Sequence, residues 1–224
     1  MESAKERAWQ EVGAINAAHE GGQLDDAAWH AAMQALVVPA YLAGSNPRAQ
    51  SGSSRDPAGW EVARRLLLDL VPDDVSLLDV GCANGHLMES LVDWAAQAGK
   101  RLEPYGLDIS DELAALARER VPRWTDRIWV GNALTWKLPH RFEVVRTGLD
   151  YVPPRSRPRL VERLLSEVVA PGGRLIIGVY NEEWDQRTVE DSVTSWGFTV
   201  GGRTERPHPH PALAYRAIWL STRR

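Results

Sequence analysis

Short apolar runs alternate with helical stretches from about residue 60 to the end of the chain. The strand-like runs cover residues 76–80, 104–107, 127–130, 142–146 and 174–179. The stretches with helical spacing between them cover residues 86–98, 111–120 and 157–169. This alternation is typical of βαβ units, and it predicts an α/β fold whose sheet is mostly parallel and doubly wound.

The last two apolar runs follow a different pattern. Residues 197–204 and 213–220 are separated by a loop of Pro and His residues, with no helical stretch between them. Two strands that are joined directly are antiparallel. The sheet is therefore predicted to have seven strands and to finish in a C-terminal antiparallel hairpin.

The first 58 residues form a separate region in the pattern. Residues 2–19 and 25–38 have helical character, a Gly-Gly pair separates them, and Pro39 is expected to end the second helix. Residues 43–59 are rich in Ser, Gly and Pro and read as a loop. We interpret residues 1–58 as an N-terminal helical cap and loop, and residues 59–224 as a Rossmann-like domain.

The composition excludes several classes of protein. The 224 residues carry a formal net charge of −4, which disfavours a dedicated nucleic-acid binder. The single cysteine, Cys82, excludes an internal disulfide, and no set of metal ligands is identifiable. The charged N-terminus lacks the apolar core of a signal peptide, and no run is long enough to span a bilayer. We expect a soluble, cytoplasmic protein without a metal, as a monomer or homodimer.

Residues 118–174 depart from this acidic average, with twelve basic and six acidic residues. Four arginines lie close together in this segment, at positions 155, 157, 159 and 163. They fit a solvated helix face, and they also fit the rim of a site that attracts an anionic substrate. Spacing alone does not separate these alternatives.

Polar residues follow the first three strands of the predicted sheet. Asp79 closes the first strand before a glycine-rich turn, Asp108 closes the second, and Asn132 follows the third. Ligands of open α/β sheets bind outside the carboxyl ends of the strands, and a carboxylate after the second strand suits ribose hydroxyls. The three positions together describe a site for an adenosine-shaped ligand.

The turn after the first strand carries a family resemblance. Asp79, Gly81, Ala83 and Gly85 stand where class I S-adenosylmethionine-dependent methyltransferases have an acidic residue and Gly-x-Gly-x-Gly. The chain resembles this family from about residue 60 onward, including the Pro-Gly-Gly turn at 171–173 and the closing hairpin. The resemblance implies that Asp79 and the 81–85 turn hold the methionine moiety of S-adenosylmethionine, Asp108 its ribose and Asn132 its adenine. The implied cofactor residues are completed by Cys82, Asn84, Ile109, Ala133 and Thr147.

Two positions depart from the family pattern. Ala83 replaces the middle glycine and adds a methyl group where the backbone usually approaches the ligand, and Asn132 stands where Asp is common. A nicotinamide dinucleotide fold is the rival interpretation. Its Gly-x-Gly-x-x-Gly fingerprint requires Gly at 83 and Gly or Ala at 86, whereas the chain has Ala83 and His86. The methyltransferase interpretation is therefore favoured.

Methyl transfer requires alignment, and a general base only where the nucleophile is protonated. The candidate catalytic residues, all predicted near the cofactor side of the sheet, are Asp150, Tyr180, His208 and His210. The two histidines also fit a rigid surface turn. The candidate substrate-binding residues are Arg48, Gln50 and Tyr151. Trp9, Trp29 and Trp60 are expected to line an apolar pocket, whereas His30 reads as a surface or packing residue.

The sequence thus predicts methyl transfer from S-adenosylmethionine to an oxygen or nitrogen of a small-molecule acceptor. An RNA or protein methyltransferase is the first alternative, with residues 118–174 binding the polymer. A non-catalytic, methyltransferase-like binding module is the second. We expect a small-molecule partner, and neither nucleic acid nor a membrane.

Overall fold

One seven-stranded sheet forms the centre of the computed structural model, which describes residues 4–221. The strands are β1 (Val75–Val80), β2 (Leu102–Asp108), β3 (Ile128–Val130), β4 (Phe142–Thr147), β5 (Val169–Glu183), β6 (Val200–Pro207) and β7 (Leu213–Ser221). Their order is β3-β2-β1-β4-β5-β7-β6. The first five strands are parallel, and β7 runs antiparallel between β5 and β6. The predicted mostly parallel sheet with a C-terminal antiparallel hairpin is confirmed.

Seven α-helices surround or precede the sheet in the described part of the chain. They are α1 (Ala4–Glu20), α2 (Asp26–Leu42), α3 (Pro57–Arg64), α4 (His86–Gln97), α5 (Asp111–Arg120), α6 (Arg157–Arg163) and α7 (Thr188–Ser195). Helix α7 is absent from the sequence prediction. Its Thr-, Ser- and Val-rich residues are weak helix formers, and Val193 alone among them is fully buried.

Several element boundaries also differ from the prediction. Helix α2 does not end at Pro39 but continues to Leu42. A proline removes the hydrogen bond to the carbonyl four residues before it, but the backbone after Pro39 remains helical and the Ala43 amide donates to the Pro39 carbonyl. The expected helix 157–169 changes at Leu164 into one π-helical turn. Strand β5 already begins at Val169 and includes the predicted Pro-Gly-Gly turn.

The parallel strands bury both faces because consecutive apolar side chains point in opposite directions. Leu78 and Val145 pack on one face with α6 and the following π-helical turn. Their neighbours Leu77 and Val144 pack on the other face with α3 and α4. Helices therefore cover both faces, as expected of a doubly wound sheet.

Helices α1 and α2 pack against each other before the chain enters the sheet. Trp29 Nε1 donates to Asn16 Oδ1 at 2.9 Å, and His19 Nε2 lies 2.8 Å from Asp26 Oδ1. Val38 of α2 packs with Leu113 of α5. These contacts place α2 over the carboxyl ends of the strands. None of the helices in residues 4–221 has the length and apolar character needed to cross a membrane.

Candidate active site

The turn between β1 and α4 bends sharply around the end of β2. Gly81 and Gly85 have φ angles of 76° and 73°, and Ala83 has a φ of 46°. The amides of Gly81 and Cys82 both donate to the Leu107 carbonyl, at 2.7 and 3.1 Å. Positive φ is strained for a residue with a Cβ. The turn thus tolerates a methyl group at its middle position despite the strain.

The methyl group of Ala83 has packing partners. Ala83 forms a small apolar cluster with Val38 of α2 and Leu113 of α5, and Tyr41 packs against that cluster. The methyl group of Ala83, which departs from the family pattern, therefore connects the turn to helix α2.

Asp79 and Arg146 form a buried ion pair at the ends of neighbouring strands. The two residues are register partners on β1 and β4, and Arg146 Nη1 lies 3.0 Å from Asp79 Oδ1. Among the described residues, Oδ2 of Asp79 is buried without a hydrogen-bond partner. Burial raises the pKa of Asp79 to about 6, although Arg146 opposes this rise. One carboxylate oxygen is therefore available to a donor on a ligand.

Asp108 supports the turn from the end of β2. Its Oδ2 accepts a hydrogen bond from the Ala83 amide at 2.8 Å, and its Oδ1 accepts from the Ser110 amide at 2.9 Å. Burial raises the pKa of this carboxyl, while these backbone donors lower it. Each carboxylate oxygen keeps a second lone pair for a ligand hydroxyl.

Asn132 follows β3 and adopts a local turn. Its Oδ1 accepts a hydrogen bond from the Leu134 amide at 2.8 Å. Oδ1 is thus already engaged, which leaves Nδ2 as the donor available to a ligand. Asn132 and Ala133 both line the cavity between the strand ends and α2.

A cavity of about 220 Å³ joins the strand ends to the inner side of α2. The predicted cofactor residues that line it are Asp79, Gly81, Cys82, Ala83, Asp108, Ile109, Asn132 and Ala133. The backbone of Cys82 is the part suited to ligand contact, because its Sγ lies near Gly106 and Met88. Eight residues predicted from motifs on three strands therefore share one cavity.

The opposite wall of the cavity comes from the N-terminal helices. Its lining side chains on α2 include Trp29, His30, Met33, Gln34 and Tyr41. Trp60 and Arg64 of α3 extend this wall. Trp29 and Trp60 thus occupy the apolar pocket expected for them, whereas Trp9 is 66% exposed and lies outside it.

Tyr151 and Arg146 shape the floor of the cavity, across from Arg64. The ring of Tyr151 lies against Gly81, so that a Cβ at Gly81 would be 2.5 Å from Tyr151 Cε2. The Tyr151 hydroxyl accepts a hydrogen bond from Arg146 Nη1 at 3.0 Å. Within the described residues, Arg64 donates to the Ala63 carbonyl and lies over the Trp60 ring, without a carboxylate partner. Burial and the charge of Arg146 lower the pKa of Arg64.

Three predicted cofactor residues do not line the cavity. Thr147 is fully buried and donates to the Gly148 carbonyl, and Gly85 packs against α5. Asn84 Nδ2 donates to the Pro47 carbonyl, and its Oδ1 accepts from Ser51 Oγ, both at 2.9 Å. Asn84 therefore fastens the loop before α3 to the glycine turn.

The predicted substrate-binding residues are divided by the structure. Tyr151 lines the cavity, whereas Arg48 and Gln50 do not. Arg48 Nε donates to the Arg55 carbonyl at 3.1 Å, and Gln50 Oε1 lies 3.5 Å from Asn84 Nδ2. Both side chains hold the loop, of which Ser51 is the residue that reaches the cavity.

The predicted catalytic residues are divided in the same way. Asp150 lines the cavity, whereas Tyr180, His208 and His210 lie outside it. The 208–212 loop is on the cofactor side of the sheet, but β5 and β7 stay paired as far as Glu183 and Leu213. Five residues separate Glu183 from Gly178, which accepts from Arg146. The loop therefore lies roughly 16 Å farther along the strands than Gly178, which contacts Arg146 at the cavity.

These three side chains lie in different surroundings. His208 Nε2 lies 3.0 Å from an Arg55 guanidinium nitrogen, and its ring packs on Tyr215. His210 is exposed in the loop. Burial and the nearby Glu182 raise the pKa of Tyr180, which is half-buried.

Sequence reasoning missed the basic residues that line the cavity in the described part of the chain, which are His30, Arg64 and Arg146. A signal existed for Arg146, because it is a charged residue within an apolar strand next to the strand of Asp79. His30 and Arg64 gave no comparable signal, since their place depends on how α2 and α3 dock. Among residues 4–221, no three His, Cys, Asp or Glu side chains come together as a set of metal ligands.

Comparison with known proteins agrees with this geometry. Residues 77–173 match a family model described as a methyltransferase domain. No curated protein sequence matches the chain significantly.

Solved structures resemble the chain in fold at low sequence identity. N-methyltransferase NodS from Bradyrhizobium japonicum WM9, in complex with S-adenosyl-L-homocysteine, has a TM-score of 0.58 and 16% identity, covering 84% of this chain and 97% of that chain. The 1,6-didemethyltoxoflavin-N1-methyltransferase of Burkholderia thailandensis has a TM-score of 0.59 and 16% identity, covering 86% and 90%. The cyclase SpnF has a TM-score of 0.56 and 16% identity, covering 82% and 92%. Family match and fold together confirm the predicted resemblance.

Proposed function

Because residues 77–173 match a methyltransferase domain and the fold resembles that of solved methyltransferases, we propose that the chain transfers a methyl group from S-adenosylmethionine to a small-molecule acceptor. The observation that carries the proposal is the unpartnered Oδ2 of Asp79 in a cavity that also contains Asp108. A buried carboxylate oxygen without a donor calls for a ligand that supplies one. The ammonium group of the methionine moiety is such a donor.

The remaining polar groups of the cavity fit the other parts of the cofactor. Arg64 lacks a carboxylate partner within the described residues, so its charge suits the carboxylate of the methionine moiety. Asp108 has free lone pairs for the ribose hydroxyls, and Asn132 Nδ2 suits an acceptor on adenine. When bound, S-adenosylmethionine supplies a methyl carbon activated by the sulfonium charge.

The chain's own residues contribute alignment and exclusion of water. Helix α2 covers the strand ends, and the loop held by Asn84 borders the cavity at Ser51. A covered site keeps the reacting groups in line and out of solvent, which is the main requirement of methyl transfer. Exposed Asp150 and half-buried Tyr151 lie where an acceptor enters.

A small acceptor suits this site better than a polymer. Three of the clustered arginines bind backbone carbonyls: Arg155 that of Glu20, Arg157 that of Leu149, and Arg163 those of Ala133 and Trp136. Guanidinium groups that are engaged in this way have less capacity for phosphate contacts. The apolar α2 wall of the cavity favours a compact molecule. We propose that the methylated atom is an oxygen or a nitrogen.

Calorimetric titration with S-adenosylmethionine tests the cofactor half of the proposal. We expect micromolar binding that Asp108→Ala abolishes. Asp111→Ala is the matched control, because Asp111 is an exposed carboxylate three residues away that does not line the cavity. Failure of the unmodified protein to bind S-adenosylmethionine would overturn the proposal.

Turnover requires a separate measurement, because a protein of this fold can catalyse another reaction, as the cyclase SpnF does. Release of S-adenosylhomocysteine in the presence of a panel of phenols, amines and carboxylic acids measures methyl transfer directly. We expect release that depends on one acceptor class. Cofactor binding without any turnover would favour a binding module instead.

A further inference from the structure

The wall of the cavity contains a buried histidine, His30, that has no role in binding the cofactor. His30 of α2 is 6% exposed and lines the cavity. Its Nε2 is buried and has no hydrogen-bond partner within residues 4–221. The ring meets Trp29 edge-on, with centroids 5.0 Å apart and an interplanar angle of 84°. An unpartnered buried nitrogen beside a ligand cavity calls for a polar group on the ligand.

The surroundings of His30 keep its imidazole neutral. Burial lowers the pKa of His30, His19 lowers it further, and Asp26 opposes both effects. The Asp26 carboxylate is already shared, since Oδ1 lies 2.8 Å from His19 Nε2 and Oδ2 accepts from Ser156 Oγ at 3.1 Å. A neutral imidazole presents one nitrogen that accepts a hydrogen bond and, during a reaction, a proton.

We propose that His30 is the general base for the acceptor, and that the acceptor is a small aromatic molecule whose weakly acidic hydroxyl group is methylated. The assignment rests on the proposed methyltransferase function and names the substrate class of that same site. The class comprises phenols and enols attached to an apolar ring.

The chemistry of the cavity wall selects this class. Trp29, Met33 and Tyr41 give aromatic and thioether surfaces that stack on a flat apolar body. An acceptor carboxylate is already ionised and needs no base, and a neutral imidazole offers it no opposite charge. An aliphatic ammonium group is a weaker acid than a phenol and surrenders its proton poorly to a histidine of lowered basicity. A neutral hydroxyl satisfies both the apolar wall and the unpartnered nitrogen.

The proposed step balances in atoms and charge. The acceptor hydroxyl loses its proton to His30 while its oxygen forms the new bond to the methyl carbon. The electron pair of the breaking carbon–sulfur bond remains on sulfur, which neutralises the sulfonium. The products are the methyl ether, S-adenosylhomocysteine and a protonated His30, which returns its proton to solvent when the products leave.

The decisive probes are para-nitrophenol and its methyl ether, para-nitroanisole, which differ only in the hydroxyl proton. With the protein saturated in S-adenosylhomocysteine at about pH 6, we expect para-nitrophenol to bind at least tenfold more tightly, since one hydrogen bond to a neutral partner contributes about 1.4 kcal/mol. His30→Phe should abolish this preference, because Phe keeps the ring without a nitrogen. With S-adenosylmethionine at the same pH, where the phenol is mostly protonated, formation of para-nitroanisole should be roughly 100-fold slower in His30→Phe.

His19→Gln is the matched control, because His19 is buried on the adjoining helix but does not line the cavity. We expect this variant to keep the preference for the phenol, and both variants to bind S-adenosylmethionine like the unmodified protein. An unmodified protein that binds phenol and ether equally, or a His30→Phe variant that still prefers or methylates the phenol, would overturn the assignment. Absence of cofactor binding in the unmodified protein would instead overturn the proposed function.

Discussion

Arg146 Nη1 lies 3.0 Å from Asp79 Oδ1, and the pair joins two register partners at the carboxyl ends of β4 and β1. Arg146 is held in place from three sides, because it also donates to the Gly178 carbonyl and to the Tyr151 hydroxyl. The carboxylate therefore has one oxygen committed to the protein and one available to a ligand. This geometry presets the orientation of Asp79 before any cofactor arrives.

Removing Arg146 alone should destabilise the fold strongly, because it leaves the buried Asp79 charge uncompensated. We expect Arg146→Met to lower the free energy of unfolding by about 3–5 kcal/mol. The double variant Asp79→Asn/Arg146→Met should recover much of that loss, since it removes both charges. Urea denaturation of the two single variants and the double variant gives the coupling energy. Additive losses would contradict the ion pair as the stabilising contact.

The affinity for S-adenosylmethionine should fall below about pH 6. Burial raises the pKa of Asp79 from its ordinary 3.8 to about 6. A protonated carboxyl no longer attracts the ammonium group, so binding should weaken as Asp79 takes up its proton. Calorimetry between about pH 5 and pH 7 measures this change, given that a shift of one pKa unit is about 1.4 kcal/mol. Asp79→Asn should bind weakly and lose most of this dependence.

The stability of the ligand-free protein should change with pH in the opposite direction. Between pH 3.8 and about 6 the native state holds a proton on Asp79 that the unfolded chain has lost. The contribution of this group to stability therefore declines as the pH rises through that window and is constant above it. Asp79→Asn should remove the decline, which urea denaturation at several pH values would detect.

Arg64 should contribute more to cofactor binding than Arg48, although both arginines precede the first strand of the sheet. Arg64 lines the cavity without a carboxylate partner in the described chain, whereas Arg48 holds the loop through the Arg55 carbonyl. We expect Arg64→Gln to weaken S-adenosylmethionine binding by roughly tenfold or more, as for a hydrogen bond to a charged group. Arg48→Gln should change the affinity for S-adenosylmethionine by less than threefold. Calorimetric titration of both variants measures the difference. Equal losses would contradict the assignment of Arg64.

Asn84 should control the order of the loop between α2 and α3. Its side chain bonds to Pro47 and Ser51 and also accepts from the His86 amide. Asn84→Ala should lower the free energy of unfolding by about 2 kcal/mol, whereas Ser51→Ala should cost about 1 kcal/mol. Hydrogen exchange of residues 44–53 should accelerate in Asn84→Ala. Unchanged exchange there would show that other contacts hold the loop.

The strands and the glycine turn were predictable because local rules determine them. Apolar runs of strand length, the spacing of Gly81 and Gly85, and a carboxylate after β2 specify the sheet and the cofactor side. The resemblance then supplied roles for residues that local rules leave undefined. The strand ends converge because parallel strands share one edge.

The acceptor side was not predictable because it depends on docking between elements. The pattern of α2 marked Trp29 and Met33 as apolar, but only packing of the helix turns His30 toward the cavity. The long pairing of β5 with β7 moved His208 and His210 away from a site that topology alone placed nearby. At Ala83, the sequence showed a methyl group where the backbone usually approaches the ligand, but only the docking of α2 brings Val38 against this methyl group.

The two walls of the cavity differ in how the chain encodes them. The cofactor wall is assembled from residues scattered over more than fifty positions, from Asp79 to Ala133, whereas most of the opposite wall comes from the single helix Asp26–Leu42. A mutagenic cassette covering those seventeen codons therefore samples acceptor preference while the cofactor residues stay constant.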